Sequence, residues 1–303
     1  MSNGPELEDR KIGSVTVLFG AYGGRYPYGN SLLVKGAEET VLIDPSLSVI
    51  PRRDALPRVD RVLNSHSHED HIAGNHLFPD VSWYLHELDL TNIHSLDNMM
   101  AMYGYGGDLD AGFRAILLDE FHFTPRPDAL GYRDGDVFDL GGSRVRVIHT
   151  PGHTRGHCAL YIEPDDVLYL ADIDLSSFGP YYGDAWSSLE DFERSLRQVG
   201  LIEARWYATF HHVGVLEGPA AFLERLDRFA GVIRTRERRL LAFLGEPKTL
   251  DEIVEHRFIY RKEDMVSFAD MVERRSMEQH VEMLRRTGRV REVEPGRYVA
   301  SAG

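Results

Sequence analysis

The feature that most constrains the fold is a set of short β-rich runs, four of which carry a histidine or an aspartate at or near their C-terminal end. These runs are DRVLNSH (60–66), SRVRVIHTPGH (143–153), DVLYLADIDL (166–175) and RWYATFHH (205–212). A lone histidine after a strand is commonly a surface or packing residue. Four strand ends that each deliver a metal-capable side chain, one after another, favour a single shared site instead.

Further β-rich runs bounded by Gly, Pro or Asp occur at 14–20, 31–36, 39–45, 81–86 and 157–164. Between the last two strand ends lies SLEDFERSLRQVG, which has apolar residues at helical spacing, a Ser cap and Gly200 at its end. Two batches of strands with helices between them predict a layered α/β sandwich with its helices outside.

The densest group of metal-capable residues is NSHSHEDH (64–71). His66 and His68 are two residues apart, so in extended chain both imidazoles point to one face and reach one metal ion. Asp70 and His71 follow where the chain is expected to turn into a helix, which redirects them toward a neighbouring position. One metal with two ligands from this segment, together with a second metal beside it, would explain the whole cluster; the alternative is a polar loop with surface histidines.

The ordered set of residues resembles the metallo-β-lactamase superfamily, whose motif HxHxDH is followed by a His, an Asp and a last His at later strand ends. The resemblance covers about residues 14–230 and implies a four-layer αββα sandwich. It also implies two divalent metal ions held by seven residues: one by His66, His68 and His153, the other by Asp70, His71 and His211, with Asp172 shared by both.

The chain departs from the family pattern at two places. The usual Gly before the bridging aspartate is Ala171, which keeps the residue small. The last histidine stands in Phe210-His211-His212, so His212 remains an alternative ligand. Asp174 is expected to be structural or to orient a metal-bound histidine, and Glu69 is expected to point away from the site.

The resemblance implies hydrolysis by a water held between the two metals, with Asp70 as the catalytic residue that orients the water and moves its proton. Zinc is the expected metal, although imidazole and carboxylate ligands also suit iron and manganese. Tyr181 and Tyr182 follow the bridging aspartate, and either could donate a hydrogen bond to a substrate carbonyl or simply pack at the pocket rim. The insertion 88–130, rich in Met and Tyr, is interpreted either as helices packed on the core or as a lid.

The chain is divided into a hydrolase domain over residues 1–230 and a small C-terminal domain over residues 231–303. The second part reads as helices followed by two short strands with an EPG turn, which is typical of a winged helix. A long helix from about residue 219 is expected to break near Gly231. The candidate recognition helix of the winged-helix segment, MEQHVEMLRRTG (277–288), mixes acidic and apolar residues. We therefore expect the C-terminal domain to pack on the hydrolase domain, to form a dimer interface or to cover the pocket, rather than to read a DNA groove.

Charge and cysteine content narrow the function. Residues 232–303 carry 15 Lys or Arg and 13 Asp or Glu, a net charge of +2, and because the total is −14 the first 231 residues carry −16. Such an acidic body disfavours a nucleic-acid partner. The single Cys158 and the absence of an apolar N-terminal segment or membrane span predict a cytoplasmic protein.

The expected substrate is a small ester-like molecule, either a thioester or a lactone. A metal-dependent phosphodiesterase or endoribonuclease is the alternative, because a lactamase domain with a C-terminal winged helix also resembles an endoribonuclease subgroup. A metal-responsive DNA-binding regulator is a more remote alternative; DNA binding without turnover of any substrate would favour it.

Overall fold

The structure is a computed structural model that describes residues 8–264 and 266–301. One sheet contains seven strands in chain order: β1 (Arg10–Ile12), β2 (Val15–Leu18), β3 (Ser31–Lys35), β4 (Thr40–Ile43), β5 (Arg61–Leu63), β6 (Ser82–His86) and β7 (Leu130–Tyr132). Strands β1 to β4 pair antiparallel, and β4 to β7 pair parallel.

A second sheet of six strands has the order β13-β12-β11-β10-β9-β8. Its strands are β8 (Val137–Asp139), β9 (Arg144–His149), β10 (Cys158–Glu163), β11 (Val167–Tyr169), β12 (Trp206–Ala208) and β13 (Val215–Glu217). Only β11 and β12 pair parallel; the other neighbours pair antiparallel.

Nine helices occur in the described residues: α1 (Ala21–Gly24), α2 (Glu69–Ile72), α3 (Glu87–Leu90), α4 (Leu96–Tyr103), α5 (Gly107–Asp119), α6 (Leu189–Val199), α7 (Pro219–Phe243), α8 (Leu250–His256) and α9 (Ala269–Arg286). Short 3₁₀ segments cover Leu47–Ala55, Asn75–Leu77 and Thr91–His94. Within the described part of the chain, no helix combines the length and the apolar character needed to cross a membrane.

The two sheets face each other across an apolar core. Val17 and Leu32 of the first sheet lie in the same cluster as Val147 and Leu160 of the second. The outer face of the first sheet is covered by α4 and α5, and that of the second by α6 and α7. The order of layers is therefore helix, sheet, sheet, helix, and the predicted αββα sandwich is confirmed.

The insertion 88–130 packs on the core with most of its apolar residues. Met99, Met100 and Met102 are buried against the first sheet, in one cluster with Leu85 and Phe113. These methionines therefore fill the core and do not line a pocket, as the packing interpretation of the insertion predicted. Aromatic residues of the same segment nevertheless reach the candidate site described below.

The C-terminal part contains α8, α9 and a three-stranded sheet with the order β14-β16-β15, formed by β14 (Lys248–Thr249), β15 (Val290–Glu294) and β16 (Arg297–Ala300). The expected break near Gly231 is wrong, because α7 runs unbroken from Pro219 to Phe243. Phe222 and Phe229 of this helix pack on the second sheet, whereas Leu240 packs in a separate C-terminal core. The helix thus joins the two cores, and the winged-helix assignment stays a prediction.

Candidate metal centre

The four strand ends singled out in the sequence meet at one edge of the sandwich. The chain leaves β5 at Leu63, and Ser65 to His68 are buried before α2 begins at Glu69. Ligand-capable atoms of His66, His68, His153 and Asp172 lie within 4.8 Å of one another. Those of Asp70, His71 and His211 form a second such group. All seven predicted residues are therefore brought together.

Asp172 connects the two groups through its two carboxylate oxygens. Its Oδ2 lies 3.0 Å from Nε2 of His153 and 4.0 Å from Nε2 of His66. Its Oδ1 lies 3.0 Å from Nε2 of His71 and 3.9 Å from Nε2 of His211. Because one oxygen faces each group, the carboxylate has the geometry that a shared ligand requires.

The backbone places the distant members by tight turns. Gly152 has a φ of +130°, and a Cβ there would lie 2.2 Å from the backbone nitrogen of Phe192. Only glycine fits so close to α6, so this contact fixes the turn that carries His153. Ala171 adopts a φ of +48° directly before Asp172.

Three buried atoms in the cluster show that the residues fit a cation. In the described part of the chain, Nε2 of His66, Nε2 of His153 and Oδ2 of Asp70 have no partner in hydrogen-bonding geometry. Oδ2 of Asp172 lies 3.0 Å from that nitrogen of His153, and Nε2 of His211 lies 3.0 Å from that oxygen of Asp70, but at angles that do not form a hydrogen bond. Buried polar atoms are rarely left unsatisfied in folded proteins. Imidazole nitrogens and carboxylate oxygens are ligands of divalent metals. The fold and these clusters therefore indicate a divalent metal site.

The electrostatics of the cluster favour the metal-binding protonation state for His66 and Asp172, but not for three other histidines. Burial, followed by the neighbouring imidazoles, holds the pKa of His66 well below its ordinary value. Burial alone would raise the pKa of Asp172, but His71, His211 and His153 together hold it well below the usual range. Burial alone would lower the pKa of His68, His71 and His211, but the neighbouring carboxylates raise it, to about 9 for His68 and His211. A neutral imidazole and an ionised carboxylate are the forms that ligate a metal.

In three of these histidines, Nδ1 is held by a hydrogen bond while Nε2 faces the cluster. Nδ1 of His71 donates to Oδ2 of Asp44 over 2.9 Å, and Nδ1 of His211 donates to the carbonyl of Gly24 over 2.8 Å. Nδ1 of His153 donates to the carbonyl of Tyr181 over 3.0 Å. These bonds turn Nε2 of each ring toward the cluster.

His68 is held through Nε2 instead of Nδ1, by a residue that the sequence analysis did not indicate. Its Nε2 donates to Oδ2 of Asp184 over 2.9 Å, and the hydroxyl of Tyr181 donates to the other oxygen over 3.0 Å. Since Nε2 is engaged, we infer that Nδ1 of His68 is the nitrogen turned to the cluster. No motif or spacing marks Asp184, which lies in a loop far from His68 in sequence.

Asp89 is a second residue that the sequence did not indicate. Its buried carboxylate accepts hydrogen bonds from the backbone nitrogen of Ser67 (3.2 Å), the hydroxyl of Thr154 (2.7 Å) and the backbone nitrogen of Gly156 (2.7 Å). Ser67 separates the two histidines of the first motif, and Thr154 follows His153. Asp89 therefore ties together the two loops that carry the first group.

The structure separates the two candidate last histidines. His211 is buried and belongs to the second group, with Nε2 3.0 Å from Oδ2 of Asp70. The side chain of His212 is 40% exposed, and its Nε2 lies 4.0 Å from Oδ2 of Asp174. Asp174 accepts a hydrogen bond from the backbone of Ser176, and burial raises its pKa to about 6.

Glu69 does not point away from the site, so that expectation is wrong. Its buried carboxylate lines the cavity beside the cluster and accepts hydrogen bonds from the hydroxyls of Tyr26 (2.8 Å) and Tyr103. Burial, followed by the charge of Asp70, raises the pKa of Glu69. The tyrosines come from distant segments, which is why the motif alone did not show this placement.

A cavity of about 580 Å³ opens over the cluster, with His68, Asp70, His153, Asp172 and His211 in its lining. Tyr181 also lines it, but the hydroxyl proton of Tyr181 is committed to Asp184. Tyr182 is buried outside the lining, where its hydroxyl accepts from Arg236 over 3.0 Å and lies 2.8 Å from Nε2 of His280. Tyr182 therefore does not line this cavity, and its hydroxyl faces Arg236 and His280 instead.

The sequence is similar to one protein family and to several hydrolases and thioesterases. The sequence model of the metallo-beta-lactamase superfamily matches residues 25–224. A hydroxyacylglutathione hydrolase from Methylococcus capsulatus is 28% identical over 222 residues, which cover 70% of this chain and 75% of that protein. An atrochrysone carboxyl ACP thioesterase from Aspergillus chevalieri is 25% identical, covering 77% of this chain and 66% of that protein.

Solved structures show the same fold. A metallo-beta-lactamase family protein from Thermus thermophilus superposes with a TM-score of 0.70 at 24% identity, covering 95% of this chain and 99% of that one. A beta-lactamase domain protein from Burkholderia ambifaria gives a TM-score of 0.69 at 18% identity, covering 99% and 95% respectively. Both likenesses extend beyond residue 224 into the C-terminal elements.

Proposed function

The chain belongs to the metallo-beta-lactamase superfamily, and from that membership we propose that it is a binuclear metal-dependent hydrolase of a small thioester, or of a lactone. The observation that carries the proposal is the pair of ligand groups joined by Asp172 at the floor of a cavity of about 580 Å³. A hydroxyacylglutathione hydrolase, an ACP thioesterase and a human acyl-coenzyme A thioesterase, 27% identical over 48% of this chain and 57% of that protein, support the thioester class.

The proposed ligand roles follow the two groups. His66, His68 and His153 would hold one divalent ion, Asp70, His71 and His211 the other, and Asp172 would contact both. When bound, two such ions lower the pKa of water at the site and stabilise negative charge developing on the substrate oxygen. Zinc is the metal we propose.

Asp70 has a second proposed task, because its carboxylate lines the cavity as well as facing His211. In this proposal, it orients the attacking water and accepts its proton. Asp184 and Asp44 hold the rings of His68 and His71 and so keep the donor atoms in place. The ring of Tyr181 forms part of the lining of the cavity.

The test combines metal analysis with a hydrolysis panel of thioesters, lactones, phosphodiesters and RNA. We expect two equivalents of metal, hydrolysis of a thioester or lactone, loss of turnover after chelation, and loss in His68→Ala. Full activity of the demetallated protein would contradict the proposal. Turnover of phosphodiesters or RNA alone would favour the nuclease alternative, and salt-dependent DNA binding without any turnover would favour the regulator.

A further inference from the structure

The cavity over the candidate metal centre has an unusual wall. Eight of the residues that line it are phenylalanine or tyrosine. Among all the lining residues in the described part of the chain, there is no lysine and no arginine. Residues 1–7, 265 and 302–303 contain no lysine or arginine either. The charged groups in the wall that are not in the two ligand groups are the carboxyls of Glu69, Asp174 and Asp184.

Five of the rings form a continuous series that joins three segments of the chain. Tyr103 and Tyr105 have ring centroids 5.3 Å apart, and the ring of Tyr105 is stacked on that of Phe268 with centroids 6.3 Å apart. The ring centroids of Phe268 and Tyr260 are 6.3 Å apart, and those of Tyr260 and Phe178 are 5.8 Å apart. The insertion, the C-terminal domain and the loop after β11 therefore build one aromatic wall.

The C-terminal part of this wall is held in place by hydrogen bonds. The buried carboxylate of Glu273 in α9 accepts from the backbone nitrogens of Ile259 and Tyr260, each over 2.7 Å. Arg275, also in α9, donates to the carbonyls of Tyr103 and Gly104. Helix α9 therefore binds both the segment that contains Tyr260 and the end of α4 in the insertion, and these hydrogen bonds hold the two segments in fixed relative positions.

Two arginines near this wall, Arg236 and Arg275, donate hydrogen bonds to backbone carbonyls. Arg236 donates to the carbonyl of Pro180 over 2.6 Å and to that of Phe178 over 2.9 Å, and it is buried behind the loop that they belong to. Arg275 is committed to the carbonyls at the end of α4. Neither guanidinium is in the lining of the cavity.

An anionic group seated against the ring series, away from the two ligand groups, would lose its hydration and would find no lysine or arginine in the described lining, which is unfavourable. An uncharged aromatic group would instead gain burial and ring contacts. Resting on the thioester hydrolysis proposed above, we propose that the aromatic wall binds the acyl group of the substrate and selects uncharged aromatic acyl groups over anionic ones. Tyr260 and Phe268 make the C-terminal domain a determinant of that specificity.

The experiment compares two thioesters with the same small thiol, the benzoyl and the 4-carboxybenzoyl thioesters of N-acetylcysteamine. We expect kcat/KM to be about 100-fold higher for the benzoyl substrate. Phe268→Ala should lower kcat/KM for the benzoyl substrate about tenfold. Ser267→Lys places a cation in the lining at an exposed position. It should reduce the ratio of kcat/KM between the benzoyl and the 4-carboxybenzoyl substrates about tenfold. Leu201→Lys, at a residue 86% exposed and outside the lining, is the matched control and should leave the preference unchanged.

A second measurement uses the S-benzyl and S-(4-carboxybenzyl) thioethers of the same thiol, which cannot be hydrolysed, with binding followed by calorimetry on the metal-loaded protein. The uncharged thioether should bind more tightly, and Ser267→Lys should reduce the difference. Hydrolysis of both thioesters at equal kcat/KM, with equal binding of both thioethers, would overturn the inference and leave the proposed function standing. Discrimination in binding without hydrolysis of any thioester would overturn the proposed function and support the ligand class.

Discussion

Nε2 of His68 lies 2.9 Å from Oδ2 of Asp184, a residue 116 positions further along the chain. Both side chains are buried, and the hydroxyl of Tyr181 satisfies the other carboxylate oxygen. This contact orients a motif histidine from outside the motif, so the loop after β11 helps to build the metal centre.

The first prediction concerns Asp184. Asp184→Ala should weaken metal binding about 10- to 100-fold, because His68 loses the acceptor that fixes its ring. Asp184→Asn keeps an acceptor oxygen and should lose less. The affinity is measured by competition with a chromophoric chelator. Asp128→Ala, whose side chain is 72% exposed, is the control; an unchanged affinity in Asp184→Ala would show that the contact does not position the ligand.

The second prediction separates the two adjacent histidines. His211→Ala should reduce the bound metal from two equivalents to one, because it removes a member of the second group. His212→Ala, at the half-exposed neighbour, should retain both equivalents and is the matched control. Elemental analysis after gel filtration measures the ratio. Loss of metal in His212→Ala alone would reverse the assignment.

The third prediction concerns the tie between the motif loops. Asp89→Ala leaves the backbone nitrogens of Ser67 and Gly156 without their acceptor. We expect the free energy of unfolding to fall by about 3 kcal/mol, since buried donors without partners are costly. Urea unfolding of the metal-free protein measures the loss. Asp97→Ala, whose side chain is 85% exposed, should change stability little; an equal effect in both variants would refute the role of Asp89.

The fourth prediction concerns pH and His280 of α9. Burial, and then the charge of Arg236, lowers the pKa of His280 from 6.5 to about 3. Below pH 6.5 the unfolded chain therefore binds a proton that the folded chain does not, so stability falls as the pH falls through that window. The loss is about 1.4 kcal/mol per pH unit.

His280→Gln removes this titration and keeps a polar side chain beside the hydroxyl of Tyr182. Unfolding by urea at pH 7 and at pH 5 should show a smaller loss of stability on acidification for the variant than for the wild-type protein. The same loss in both proteins would mean that His280 is protonated in the folded state.

The layers of the fold could be predicted because its central strands are long apolar runs. Residues 31–34 and 40–43 are buried throughout, and such runs are typical of strands covered on both faces. Strands β1, β7, β8 and β13 of the two large sheets were not predicted. Each has three residues, at most one of them buried, so no apolar pattern marks them, and only pairing with a neighbour makes them strands.

The resemblance to the metallo-β-lactamase superfamily implied the αββα order and the full set of ligands. By itself, the sequence predicted a layered α/β sandwich with metal-capable residues at four strand ends, and it left the last histidine open between His211 and His212. It could predict these features because strand ends and the spacing of His66 and His68 are local properties. Only the tertiary structure decided that His211 rather than His212 joins the cluster and that Glu69 faces the cavity. It also decided that Asp184 and Asp89 hold the motif loops and that Tyr260 and Phe268 close the wall. These placements depend on contacts between segments far apart in the chain, and such contacts form only when the sheets, the insertion and the C-terminal domain pack together.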